Sequence, residues 1–153
     1  MSGSALRPGR ALGIDLGTRR IGIAVSDSAG TMALPRTTLF RTADAEGDRR
    51  RLVELILEEE AVVVVIGLPL SLDGSHGPAA TSASAEAATL RVMLQEHDVD
   101  VELFDERLTT VTAHQALAEG GTRARDRRDI VDQAAAAVML TAWLETRPGR
   151  ERT

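Results

Sequence analysis

Three carboxylates far apart in the chain, Asp15, Glu106 and Asp132, have the type and setting that point most directly to chemistry. Asp15 interrupts an otherwise apolar run, Gly13-Ile-Asp-Leu-Gly-Thr18. An acid set into a sheet loses its hydration, so it must meet a cation or a set of donors. Capping the turn at Gly17 is the plainer alternative. Asp105-Glu-Arg107 follows an expected strand, Val99 to Phe104, and strand ends are where open α/β sheets place ligands. Adjacent acids point in different directions, so only one of the pair faces a shared site. Glu106 is the favoured ligand; Asp105 is its substitute or, with Thr18, supports the ligands from behind. A solvated loop with a local Glu–Arg pair would look the same in sequence. Asp132 lies in Asp129-Ile-Val-Asp-Gln-Ala-Ala-Ala136, read as the first turn of the last helix, where the dipole alone favours an acid. The small apolar residues after it predict close packing on the sheet, which would bring its carboxylate over the strand ends.

Each of these signals is weak alone, but together they place three hard oxygen donors on three elements that can meet at one sheet edge. Few carboxylates, with room left for water and phosphate, suit Mg²⁺ or Mn²⁺. Two such ions about 4 Å apart, with substrate bound, would activate a water and stabilise a leaving oxygen, which is phosphodiester hydrolysis.

The elements that must position these acids can be read from periodicity. Ala11 to Leu16 and Ile21 to Ser26 are β-like runs around a short Gly-containing turn, a hairpin pattern. Met32 to Phe40 supplies a third strand, with Pro35 favouring an edge. Asp44 to Glu60 is helical in period, and Ala61 to Ile66 is a β-branched run typical of a strand covered on both faces. Gly67 to Pro78 reads as a loop, with Gly67 and Pro69 shaping a cleft border. Ala79 to His97 reads as a helix and Val99 to Phe104 as a strand. A helix capped by Thr109 or Thr110 runs to Glu119, Thr122 to Arg128 reads as a charged loop, and a final helix spans Ile130 to Thr146. The result is an α/β fold with a mixed five-stranded sheet, three antiparallel strands followed by two parallel ones, and helices on both faces. One domain is expected over 11–147, between a disordered segment at 1–10 and a mobile tail at 148–153.

Composition narrows the partners. The 153 residues contain no cysteine, which excludes disulfides, thiolate metal sites and a cysteine nucleophile, and fits a reducing cytoplasm. Residues Met1 to Arg10 lack an apolar core of the signal-peptide kind, and no run is long enough to span a bilayer. The net charge is −5 and all 18 basic residues are Arg, so indiscriminate coating of nucleic acid is disfavoured. A local basic rim is not: Arg19, Arg20, Arg107, Arg123, Arg125, Arg127 and Arg128 are candidates for phosphate contacts. Arg49 to Arg51 read as a solvated helix face. With one Trp, two Phe and no Tyr, stacking of splayed bases is disfavoured, and shape recognition of a duplex or junction is favoured. His76 could assist proton transfer, although nothing in the sequence fixes it near the acids.

Four segments, in order, carry a resemblance: Gly13 to Ser26, Val65-Ile-Gly-Leu-Pro-Leu-Ser-Leu-Asp-Gly74, Asp105-Glu-Arg-Leu-Thr-Thr110 and Val131-Asp-Gln-Ala-Ala135. The chain resembles the YqgF family, named for pre-16S rRNA nuclease activity and also described as Holliday-junction-resolvase-like, over roughly Leu12 to Glu145. The resemblance implies a ribonuclease-H-like fold and carries the family's acids onto Asp15, Glu106 and Asp132. It also implies trimming of the 5′ end of 16S rRNA, with the small-subunit precursor as a partner and the chain a monomer or weak homodimer. Two other functions compete with it: resolution of four-way DNA junctions, and a non-catalytic role in ribosome assembly or transcription. A phosphate-binding hairpin of sugar kinases or actin-like ATPases is disfavoured, because those folds need two related domains.

Overall fold

A computed structural model describes the backbone over 9–108 and 124–146, and side chains over 9–108 and 131–146. Five strands form one sheet: β1 (Arg10–Leu16), β2 (Arg20–Ser26), β3 (Ala33–Phe40), β4 (Ala61–Leu68) and β5 (Asp100–Asp105). Among the described residues three helices cover it: α1 (Ala45–Glu58), α2 (Pro78–Leu94) and α3 (Ala124–Thr146). The order across the sheet is β3-β2-β1-β4-β5, antiparallel between the first three and parallel from β1 to β5.

Alternation along the strands sorts the core into two layers. Leu12, Ile14, Ile21, Ile23, Val64 and Ile66 pack with Leu52 and Ile56 of α1 and with Ala83, Ala87, Leu90 and Leu94 of α2. Ala11, Ala24, Val63 and Val65 face the other way, against Ala136, Leu140 and Trp143 of α3. By the same alternation Gly13, Asp15, Gly22 and Gly67 belong to the α3 side. That side is dominated by small residues, and this is why a helix can lie close on it.

Local sequence explains the element ends. The hairpin turn closes with Gly17 N–H donating to the Arg20 carbonyl at 2.8 Å. Pro35 does sit on an edge strand, and the register slips by one residue beside it, between Ile23 and Ala24. Asp44 caps α1, its carboxylate accepting from Gly47 N–H at 3.0 Å.

Three expectations are corrected. Gly67 is a strand residue inside β4, because the apolar run continues through Leu68 before Pro69 ends it. The helix expected to reach His97 stops at Leu94 and tightens into a 3-10 turn, Gln95–His97, before Asp98 adopts a left-handed conformation at φ 61°. The backbone is helical from Ala124, so most of the segment read as a charged loop belongs to α3. Charge density suggested a loop, but Ala and Arg are both strong helix formers. Asp132 is therefore about two turns inside α3 rather than in its first turn, and attraction to the helix terminus does not account for it. The helix expected over Thr109 or Thr110 to Glu119 lies outside the described residues. No helix among the described residues is long and apolar enough to cross a membrane.

Candidate active site

Asp15 lies one residue before the end of β1, in a row of three residues across adjacent strands. It pairs with Gly22 of β2. On its other side Ile14 pairs with Ile66 of β4, which puts Gly67 beside Asp15. The central acid is thus flanked by a residue without a side chain on each side, and each vacancy is used. A methyl on Gly22 would stand 2.9 Å from the Asp132 Cβ and closer still to the Asp132 carbonyl oxygen, so the α3 backbone fills that space. A methyl on Gly67 would stand 2.8 Å from Cγ and 2.9 Å from Cδ of Glu106, and nearer again to Oε2. Neither glycine has a positive φ; close approach, not backbone conformation, is what requires them.

Glu106 opens the 3-10 turn after β5 (Glu106–Leu108) and folds back over Gly67. It shares a side-chain hydrogen bond with Asp15. Burial, then the charge of Asp15 and that hydrogen bond, push the Glu106 carboxyl up to about 7, with Asp105 adding to the effect. Burial also raises Asp15; the bond from Glu106 works against this and the Asp132 charge works with it. A proton held by Glu106 and donated to the Asp15 carboxylate accounts for the contact between two acids. Asp132 is balanced differently: Arg20 Nε donates to its Oδ2 at 2.7 Å, with both side chains partly buried.

Asp105 turns away from this group. Its carboxylate takes Arg107, with Nη2 to Oδ2 at 2.6 Å and Nε at 3.0 Å, and that guanidinium holds its carboxyl below the usual value. Of the two adjacent acids, Glu106 is the one that reaches Asp15.

The other sequence-nominated residues are more dispersed. Thr18 and Arg19 are exposed at the hairpin tip. Thr18 lines a depression with Arg41, Arg49 and Thr89, in which none of the three acids takes part. Arg20 and Arg107 are tied to Asp132 and Asp105, and Arg107 Nη1 also donates to the Leu72 carbonyl at 3.2 Å. Arg125, Arg127 and Arg128 fall on the first turns of α3, but with Arg123 their side chains lie outside the described residues. Pro69 directly follows β4, and His76 is exposed in the segment before α2. Gly22 was not among the residues nominated from sequence. Glycine alternating with Ile and Ala in a strand, Ile21-Gly-Ile-Ala24, was the available signal of close backbone approach.

Among the described residues no three His, Asp or Glu side chains already stand in a ligating arrangement. Asp15 has the Glu106 carboxyl as its hydrogen-bond partner, and the Arg20 guanidinium is the cationic partner of Asp132. The donor set still fits a hard cation, with oxygen-only donors, partly buried, two in contact and the third within range to act on Asp15.

Comparison with known proteins identifies the family. The model of the RuvX family, described as Holliday junction resolvase, matches residues 9–146. The chain belongs to the RuvX family. Similar RuvX-family relatives include a provisionally named pre-16S rRNA nuclease of Nocardia farcinica, 46% identical over 144 residues, covering 91% of this chain and 79% of the relative. One of the same name from Leifsonia xyli is 44% identical over 147 residues, covering 96% and 92%. Among solved structures, Thermus thermophilus RuvC in complex with a Holliday junction substrate aligns with a TM-score of 0.56 at 17% identity, covering 93% of this chain and 97% of that one. The yeast mitochondrial Holliday junction resolvase Ydc2 gives 0.59 at 12% identity, covering 90% and 78%. These distant likenesses show that the RuvX-family sheet shares the ribonuclease-H-like resolvase fold.

Proposed function

We propose that this chain is a divalent-metal-dependent nuclease that hydrolyses phosphodiester bonds in structured RNA, maturing the 5′ end of 16S rRNA in the cytoplasm. The observation that carries the reading is the meeting of Asp15 and Glu106 beneath α3, with Asp132 on the adjoining side of the same strand row. The names of the 44–46% identical relatives support the substrate.

Asp15, Glu106 and Asp132 would hold Mg²⁺ or Mn²⁺, in one or two positions. When bound, such ions supply positive charge against the phosphoryl oxygens and make a water a better nucleophile. The chain's own residues do the rest. Asp15 is anchored in the sheet and sets the floor of the site. Glu106 would release its proton to solvent on binding a cation, leaving a carboxylate free to act as a ligand. Arg20 keeps Asp132 in one orientation by holding Oδ2. Arg19, exposed on the hairpin tip beside this edge, offers a phosphate contact.

Resolution of four-way DNA junctions is a second reading, favoured by the family's description and by the fold shared with resolvases. The test is cleavage of a 5′-extended 16S precursor and of a four-way junction by the wild type and by Asp15→Asn, with Mg²⁺ or Mn²⁺. We expect cutting of the precursor by the wild type alone. Cutting of the junction alone favours resolution, and cutting of neither favours a non-catalytic assembly role.

A further inference from the structure

The structure assigns a role to a residue without a side chain: we propose that Gly67 is a positioning residue, whose missing methyl is the space through which Glu106 folds back over β4 to reach Asp15. This rests on the reading of Glu106 as a metal ligand.

Gly67 is an interior strand residue with no positive φ, so alanine would suit its backbone as well or better. Elsewhere β4 is Val, Ile, Leu and Ala, residues with β-carbons that pack on the two helical layers. The three heavy atoms nearest to an alanine methyl at 67 all belong to one side chain: they are Oε2, Cγ and Cδ of Glu106, the last two at 2.8 and 2.9 Å. Three atoms of a side chain cannot all yield by a small rotation of its tip. The carboxylate would have to move off β4, and the contact with Asp15 that depends on its present path would be lost. Gly22 differs, because there the obstacle includes the Asp132 backbone and a methyl would move the helix. Gly67 therefore sets the reach of one acid without setting the fold.

The test is Mn²⁺ titration calorimetry, without nucleic acid, on the full chain: wild type, Glu106→Gln, Gly67→Ala, Glu106→Ala and the double variant Gly67→Ala/Glu106→Ala. Glu106→Gln checks the underlying reading; if it binds Mn²⁺ like the wild type, Glu106 is not a ligand and the reading itself falls. Given a loss there, Gly67→Ala is expected to weaken Mn²⁺ binding roughly tenfold or more, the scale of misoriented metal ligands. In the Glu106→Ala background the same methyl should cost less than about threefold, because the atoms it would displace are gone. Wild-type affinity in Gly67→Ala, or a double variant as weak as the product of the two singles, overturns the role of Gly67 while leaving Glu106 a ligand. If Gly67→Ala does not fold, the double variant decides: recovery of folding once Glu106 is alanine supports the assignment, and unfolding of the double variant as well overturns it.

Discussion

At the scale of single residues, the cluster of acids is an electrostatic compromise with measurable consequences. Glu106 has its carboxyl raised from 4.5 to about 7, so the folded chain holds a proton that the unfolded chain releases. Stability of the metal-free protein should therefore fall as pH rises from about 4.5 to about 7. Replacing the acid by its amide removes that dependence. In chelator, Glu106→Gln is expected to be more stable than the wild type at pH 8, by on the order of 1 kcal/mol once solvent screening is discounted. The gain should vanish below pH 4.5. Urea unfolding at the two pH values checks this, and a gain equal at both would show that the carboxyl is not perturbed. Asp132→Asn is expected to abolish cutting while the melting temperature changes by no more than a few degrees, because the amide oxygen can still accept from Arg20 Nε. Unfolding of that variant would make Asp132 a structural residue.

At the scale of elements, the close approach of α3 to the sheet is the feature on which the site depends. Gly22→Ala would press a methyl into the Asp132 backbone, and rigid backbone yields less readily than a side chain. We expect a loss of about 1–3 kcal/mol in unfolding free energy, together with loss of activity. A fully stable and active Gly22→Ala would show that α3 has slack. Another element is held by Asp48 of α1, which accepts from Thr42 N–H at 2.8 Å and Oγ1 at 2.7 Å and pairs with Arg51. These donors pull its carboxyl from 3.8 down to about 2. Its contribution is complete above the unfolded value and is lost as pH falls through about 2, so Asp48→Asn should be less stable than wild type at pH 7, with the difference shrinking steadily as pH falls from about 3.8 through about 2. Thermal melts across that range test it.

The elements were largely legible in the sequence, and the reasons differ by element. β1, β2 and β4 are apolar runs, with Gly9 and Gly17 at the ends of β1 and Pro69 after β4, so period and punctuation agree. The start of α3 was not legible, because residues 124–128 carry charge without the apolar stripe that marks a helix. The acids were legible by type and position, but their balance was not. That Arg20 holds Asp132, that Asp105 turns to Arg107 and that Glu106 bonds Asp15 are choices between neighbours made by packing, which spacing alone cannot rank. Gly67 looked like loop punctuation because glycine in a strand and glycine in a turn read alike.

For the whole molecule, an acidic chain that acts on a polyanion must concentrate its attraction locally. With a net charge of −5, affinity for RNA would rest on a few guanidinium groups around the acids. Arg20 and Arg107 already serve carboxylates, whereas Arg19 is exposed at the hairpin tip. Arg19→Ala is expected to weaken binding of a structured RNA uniformly across sequences and to reduce the salt slope of log K by about 1. An unchanged slope, measured by filter binding from low to physiological salt, would remove Arg19 from the interface.

The most direct measurement of the central claim is diffraction from crystals of the full chain soaked in Mn²⁺, recorded at the manganese absorption edge. An anomalous peak within coordination distance of Asp15, with Glu106 and Asp132 turned toward it, is the predicted result. Manganese bound elsewhere, with the proton-shared Asp15–Glu106 pair left intact at saturating ion, would contradict it.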